Sequence, residues 1–271
     1  MASPELSLQL YSVREALDAD LGGTLDRLAA IGLRNVEAFG FLGRAAELRA
    51  ALDSAGLRSP SGHAPFLSDR LGFGDSTVDV PPAAQVFDDA LTVGVELLID
   101  PMVAPDRWYS RDEVVATADR LNGLVDQAAE RGLRIGYHNH SHEFHKSFDG
   151  VTAYETFMGL LDPRVVLEVD VFWAATGGQD VVALLGRLGD RVRLLHAKDG
   201  IIGIDPFLDL ENFAADKLDQ RVAGSGEVGL EAVLAAAPAA EYAAIEFDRY
   251  DGDLFQAIAD SAAYLRSVGV R

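Results

Sequence analysis

The chain has 271 residues, 49% of them hydrophobic and 24% charged, a composition that closes a packed core and does not suit a disordered segment. Its formal charge of −20 excludes binding modes that neutralise the phosphates of DNA, RNA or an anionic membrane. With no cysteine, disulfides, thiolate metal sites and a cysteine nucleophile are excluded as well. No window approaches the roughly 18 apolar residues that span a bilayer, and the first residues lack a cationic stretch leading into an apolar one. A soluble, cytoplasmic protein is therefore expected.

Apolar runs of strand length recur at 6–12, 34–39, 57–64, 95–101, 134–140, 165–173, 192–198 and 242–248. Between them lie helical spacings such as Leu21, Leu25, Leu28 and Val181, Leu184, Leu185, Leu188. Gly32, Gly56, Gly94 and Gly132 each stand between a helical pattern and the next strand, where a left-handed residue ends a helix. Eight strand–helix units predict a parallel (β/α)8 TIM barrel over 1–271 as one domain. An open doubly wound sheet would need a glycine-rich phosphate loop after the first strand, and Gln9-Leu10-Tyr11-Ser12-Val13-Arg14 supplies none. Residues 200–229 lack periodicity and read as a loop over the rim.

Side chains alternate along a strand, so parity separates those facing the barrel axis from those facing the helices. Val166, Glu168 and Asp170 share one face, as do Leu194, His196 and Lys198, and Ala244, Glu246 and Asp248. His138, His140, His63, Glu37 and Gln9 lie near the carboxyl ends of the other strands. Ionisable groups gathered in an interior need pairing or a metal, and the carboxyl ends are where barrel enzymes work. Asp170, His196 and Glu246, from successive strands, suit a hard or borderline divalent ion. Taken singly, each has a structural reading: Asp170 as a helix cap, an inward histidine as a satisfied core residue, Glu37 or Glu168 as an arginine's partner. His142 and His145 read as loop surface.

In these residues the chain resembles the xylose-isomerase-like TIM-barrel superfamily of sugar phosphate isomerases and epimerases. The resemblance rests on an ordered set of blocks: Gln9 to Arg14, Tyr137-His138-Asn139-His140-Ser141-His142-Glu143-Phe144, Asp170-Val171-Phe172-Trp173, His196-Ala197-Lys198-Asp199, Gly224-Ser225-Gly226-Glu227 and Glu246-Phe247-Asp248. It implies one divalent metal, Mn2+ first, with Mg2+, Co2+ or Zn2+ as substitutes, held by Asp170, His196 and Glu246. The family's usual Glu-Asn-His stands here as His138-Asn139-His140. Glu143 is the expected fourth ligand, and His138 the alternative.

The implied chemistry is proton abstraction beside the carbonyl of a keto-sugar or related polyol through an enediolate, giving epimerisation or isomerisation. His138, His140, Lys198 and Glu246 are the expected catalytic groups; Gln9, Glu37, His63 and Trp173 are expected to bind substrate. A lyase or dehydratase, expelling a β-substituent from a keto-glycoside or inosose, is the second expectation. A metal-dependent hydrolase and a non-catalytic sugar binder follow, the first opposed by the −20 charge. The partners expected are a small carbohydrate and further copies of the chain, with no nucleic acid and no membrane.

Overall fold

The computed structural model describes residues 3–73, 76–210 and 217–271. Eight strands form one sheet: β1 (Glu5–Leu8), β2 (Asn35–Ala38), β3 (Arg58–His63), β4 (Leu97–Asp100), β5 (Arg134–His138), β6 (Val166–Asp170), β7 (Val192–His196) and β8 (Tyr242–Ile245). Every pairing between them is parallel and the order around the sheet follows the chain, with β1 returning to β8. The seam between β1 and β2 is joined by one backbone bridge, Gln9 to Glu37. This is a TIM barrel in which each strand overlaps its predicted run; β1 departs most, starting at Glu5 and giving way to a short helical turn, Leu10–Val13, where strand was expected through Ser12.

A helix follows each strand: α1 (Leu21–Ala30), α2 (Ala45–Ala55), α3 (Ala83–Val93), α4 (Arg111–Asn122), α5 (Ala153–Leu160), α6 (Val181–Leu188), α7 (Leu230–Ala236) and α8 (Leu254–Ser267). Their apolar stripes fill the layer outside the sheet, as with Leu25 and Leu28 of α1, or Ile258 and Leu265 of α8. α2 and α3 end on Gly56 (φ 70°) and Gly94 (φ 100°), the left-handed residues the sequence placed there.

Inside the barrel the side chains stack in layers. Leu97, Ile99, Val166 and Leu194 form a separate apolar plug capped by Tyr242. Gly136 of β5 keeps that plug closed, since a Cβ there would meet Val166 O at 2.4 Å and Ile99 Cδ1 at 2.8 Å. One residue pair further along the strands, the inward positions become polar.

The structure adds three short hairpins that period counting did not predict: Arg70–Phe73 with Ser76–Asp79, Ser147–Phe148 with Val151–Thr152, and Asp199–Ile201 with Asp219–Arg221. The last organises the expected rim loop, of which residues 211–216 lie outside the described residues.

Candidate metal centre

Strand ends aim the polar side chains. Asn139, just past β5, exchanges hydrogen bonds with Asp170, accepting from its N–H at 3.1 Å and donating to its carbonyl at 3.2 Å. That stitch sets the ends of β5 and β6 side by side. Asp170 Oδ1 caps the short helix Val171–Thr176 by accepting from Trp173 N–H at 2.8 Å, which leaves Oδ2 free to face the axis. The helix-cap reading of Asp170 is met by Oδ1, and Oδ2 is left facing the other polar groups, where it could serve as a ligand.

Two imidazoles divide the polar interior. His196 puts Nδ1 2.7 Å from Glu246 Oε2 and 3.9 Å from Asp170 Oδ2, while its Nε2 lies 2.7 Å from Glu37 Oε1 and 3.4 Å from Glu168 Oε1. His138 puts Nε2 3.9 Å from Asp170 Oδ2 and Nδ1 3.1 Å from Glu168 Oε2. An outer set is formed by His138, Asp170, His196 and Glu246, whose donor atoms all lie within 4.8 Å of one another. Behind it, Glu37 and Glu168 grip the opposite nitrogens, the arrangement that fixes tautomer and ring orientation in metal-binding histidines. His63 bridges the inner carboxylates, bonded through Nε2 to Glu168 and 3.2 Å from Glu37.

Lys198 joins the outer set from one residue pair above His196, its Nζ 2.9 Å from Asp170, 2.8 Å from Glu246 and 2.8 Å from Asp248. Burial alone lowers an ammonium's pKa, but these three carboxylates outweigh it and hold Lys198 well above its ordinary value. His196 behaves likewise: burial opposes its charge, and Glu168, Glu246 and Glu37 more than compensate. His138 goes the other way, because burial and then the charge of His196 push it down to about 3.

The donor set fits a divalent cation. Two imidazole nitrogens and two carboxylate oxygens are borderline-hard ligands. Asp170 Oδ2, Glu168 Oε1 and Glu37 Oε2 are buried without a hydrogen bond, although Asp170 Oδ2 is ion-paired to Lys198. Glu37, Glu168, Asp170 and Glu246 are buried around Lys198, His196 and His63, whose charged forms they favour, and an ion at the outer set would take over part of that neutralisation.

The predicted residues divide. The structure brings Asp170, His196, Glu246, Lys198 and His138 together. It does not bring Glu143 to them: that carboxyl accepts from Tyr137 Oη–H at 2.9 Å and His140 N–H at 2.9 Å, in a separate group with His140 and His142. Because Glu143 lies past the strand end, in a turn that folds back on β5, burial raises it to about 8 instead of aiming it at the axis. His63 and Trp173 line the cleft. Gln9 and Glu37 are fully buried behind it, Gln9 donating through Nε2 to Glu37 at 2.6 Å, because both sit a layer below the rim at the seam. His142 is buried, contrary to its reading as surface; His145 is partly buried and paired with Asp205 at 2.7 Å.

Glu168 was the missed residue. The sequence offered it an arginine, and the structure gives it histidines; its parity with Asp170 was the available signal. The Gly224 to Gly226 turn of the Gly224-Ser225-Gly226-Glu227 block wraps a carboxylate of the chain itself. Asp199 accepts from the N–H groups of Gly224 (2.8 Å), Gly226 (3.0 Å), Gly200 (2.9 Å) and Val228 (3.2 Å).

Above the centre a cleft of about 700 Å3 is walled by Tyr11, Arg14, His140, Trp173 and Phe207. The rings of His140, Trp173 and Phe207 lie 5.4 to 5.6 Å apart in mutual contact. Phe207 is held there by its neighbour Asp205, which accepts from Ser141 Oγ at 2.7 Å and pairs with His145.

Fold and site together define a barrel with a buried imidazole–carboxylate centre at its carboxyl rim. The chain belongs to the xylose isomerase-like TIM barrel family, whose pattern matches residues 25–268. Among solved structures it is similar to a sugar phosphate isomerase/epimerase from Parabacteroides distasonis, with TM-score 0.75 and 26% identity over 98% of this chain and 95% of that one. It shares its fold with the IolI protein solved with a zinc atom, at TM-score 0.70 and 17% identity over 98% of each chain. It is 30% identical over 107 residues to an inosose dehydratase of Lacticaseibacillus casei, 39% of this chain and 35% of that enzyme. The chain thus matches about a third of the length of its curated relatives. No helix among the described residues is long and apolar enough to cross a membrane.

Proposed function

We propose that the protein is a divalent-metal-dependent enzyme that removes a proton beside the carbonyl of a keto-sugar or related polyol and returns it, as an isomerase or epimerase. The observation carrying this reading is the outer set, with His138 taking the place expected of Glu143, and Glu168 and Glu37 bracing the two histidines from behind. A bound ion, Mn2+ by resemblance, supplies polarisation of substrate oxygens and neutralises charge that develops on them.

The chain's own residues do the rest. With His138 committed to the centre, His140 is the free base. Its Nδ1 is buried without a hydrogen bond, it lines the cleft, and burial followed by the charges of His138 and His142 keeps its pKa well below the ordinary value. It therefore meets substrate as neutral imidazole, able to accept a proton. Lys198, locked by three carboxylates, holds a fixed positive charge toward a developing oxyanion. Trp173 and Phe207 exclude water from that side.

Elimination is the second reading, favoured by the absence of a second glutamate at His138. Return of the proton to the other face of a carbon calls for two bases, and His140 is the only histidine among the described residues that line this cleft. Incubation of the Mn2+-loaded protein in D2O with keto-sugars, ketohexoses and inososes tests both. Deuterium beside the carbonyl is expected; an unsaturated product would make the enzyme a lyase, and no uptake with any compound would overturn proton abstraction.

A further inference from the structure

The cleft has a second lobe that proton transfer does not use. It measures about 550 Å3 and opens directly beside His63, His138 and Glu246. Away from those groups its walls are apolar. Phe39 and Leu42 come from the loop after β2, Pro65 from the loop after β3, and Met102 from the loop after β4. The hairpin Arg70–Phe73 with Ser76–Asp79 pairs Leu71 with Val78 in register, and directly opposed residues of an antiparallel pair share a face. Both contribute to the wall, and Val78 is left 56% exposed by the rest of the fold.

The charge of the lobe is equally one-sided. No lysine or arginine lines it among the described residues, and its charged side chains are Asp79, Glu246 and Asp248. Each is already paired, Asp79 with Arg70 and the other two with Lys198, so a phosphate would find carboxylates and no unpaired lysine or arginine among the described lining residues. A cavity this size holds more than a pyranose ring, and a free sugar, polar on every edge, would leave the apolar wall wet.

We propose that this lobe is an aglycone subsite: it takes the uncharged, apolar substituent of a glycoside whose sugar ring sits against the polar centre. The proposal rests on the sugar reading above and deepens it. The substrate class becomes a keto-glycoside with an aromatic or branched aliphatic aglycone, and the site selects against sugars phosphorylated at the same position. Continuity supports this, because Tyr11, Met102, His140 and Asp248 line both lobes and one molecule can span them.

Calorimetric titration of the metal-loaded protein with matched methyl and 4-nitrophenyl β-glycosides of glucose, galactose and mannose tests it, since each pair differs only in the aglycone. At least one aryl glycoside is expected to bind ten-fold or more tightly than its methyl partner. Val78→Glu, at an exposed position, and Leu42→Gln should each abolish most of that gain while melting as the parent does. Equal affinities within every pair, no binding by any aryl glycoside, or a gain that survives both substitutions would each overturn the subsite. These glycosides carry no keto group and need not turn over, so failure of the proton-abstraction reading would appear separately, as aryl selectivity without deuterium uptake.

Discussion

Glu37 and His196 are bonded at 2.7 Å from Oε1 to Nε2, with Gln9 holding the same glutamate oxygen at 2.6 Å. The contact leaves Nδ1 of His196 facing Glu246 and Asp170. If a carboxylate sets that orientation, replacing it weakens metal binding without touching a ligand. Glu37→Gln is expected to lower Mn2+ affinity by about 10- to 100-fold, the range for partners of metal-bound histidines. Competition with a fluorescent chelator reads this directly, and unchanged affinity would remove Glu37 from that role.

The two readings of the fourth ligand separate by metal analysis. His138→Ala and Asp170→Asn should lose stoichiometric metal after desalting, whereas Glu143→Gln should retain it. Chelation should also lower the melting temperature, because an ion at about 100 times its Kd stabilises the folded state by about 2.7 kcal/mol. Loss of metal in Glu143→Gln with retention in His138→Ala would restore the expectation drawn from the sequence.

His140→Asn is expected to slow solvent deuterium exchange by about 10²- to 10⁴-fold, the usual contribution of a positioned base. Its metal content should be unchanged. A variant exchanging at near-parental rate would move the base elsewhere.

Asp100 gives a pH signature away from the metal centre. Burial raises its carboxyl to about 6 from 3.8, against three N–H groups, of Phe66, Leu67 and Met102, that favour the charged form. Since the folded pKa lies above the unfolded one, the folded state takes up a proton between them. Its contribution is fully present below about pH 4 and is lost as pH rises through 6, up to about 3 kcal/mol at 1.36 kcal/mol per unit. Chemical denaturation from pH 4 to 7 should show parent stability falling relative to Asp100→Asn; a parallel pair of curves would show that no such proton is taken up.

Gly226→Ala probes the loop that wraps Asp199. Its Cβ would stand 2.3 Å from Gly200 N and 2.6 Å from Gly200 O, backbone atoms that cannot swing aside. A loss of about 1–3 kcal/mol is expected by thermal unfolding, the usual range for overpacking.

The eight strands were legible because each carries an apolar run and several helices end before a glycine, as at Gly32, Gly56, Gly94 and Gly132, both local signals. Parity then identified the inward face correctly: Glu168, Asp170, His196, Lys198 and Glu246 all point there. What parity does not carry is which inward groups meet across the axis, since that depends on the stagger between strands brought together from distant parts of the chain. Hence Glu168 was offered an arginine, though its partners are His63, 105 residues away, and His138, 30 residues away. Glu143 was misplaced for a related reason. Three residues beyond a strand, spacing no longer fixes direction, and a turn closed by Ser141 and Phe144 carries the side chain back to Tyr137.

The barrel's first and last-joined staves meet at Gln9 and Glu37, where one backbone bridge does what several do elsewhere. Glu37 carries that junction onward to His196, so the cluster is also a clasp. Redesign of the centre for another reaction therefore cannot treat its acids and imidazoles as interchangeable cargo: a variant stripped of Glu37 should breathe at the β1–β2 junction before it loosens anywhere else, and a new activity installed there will need a new fastening.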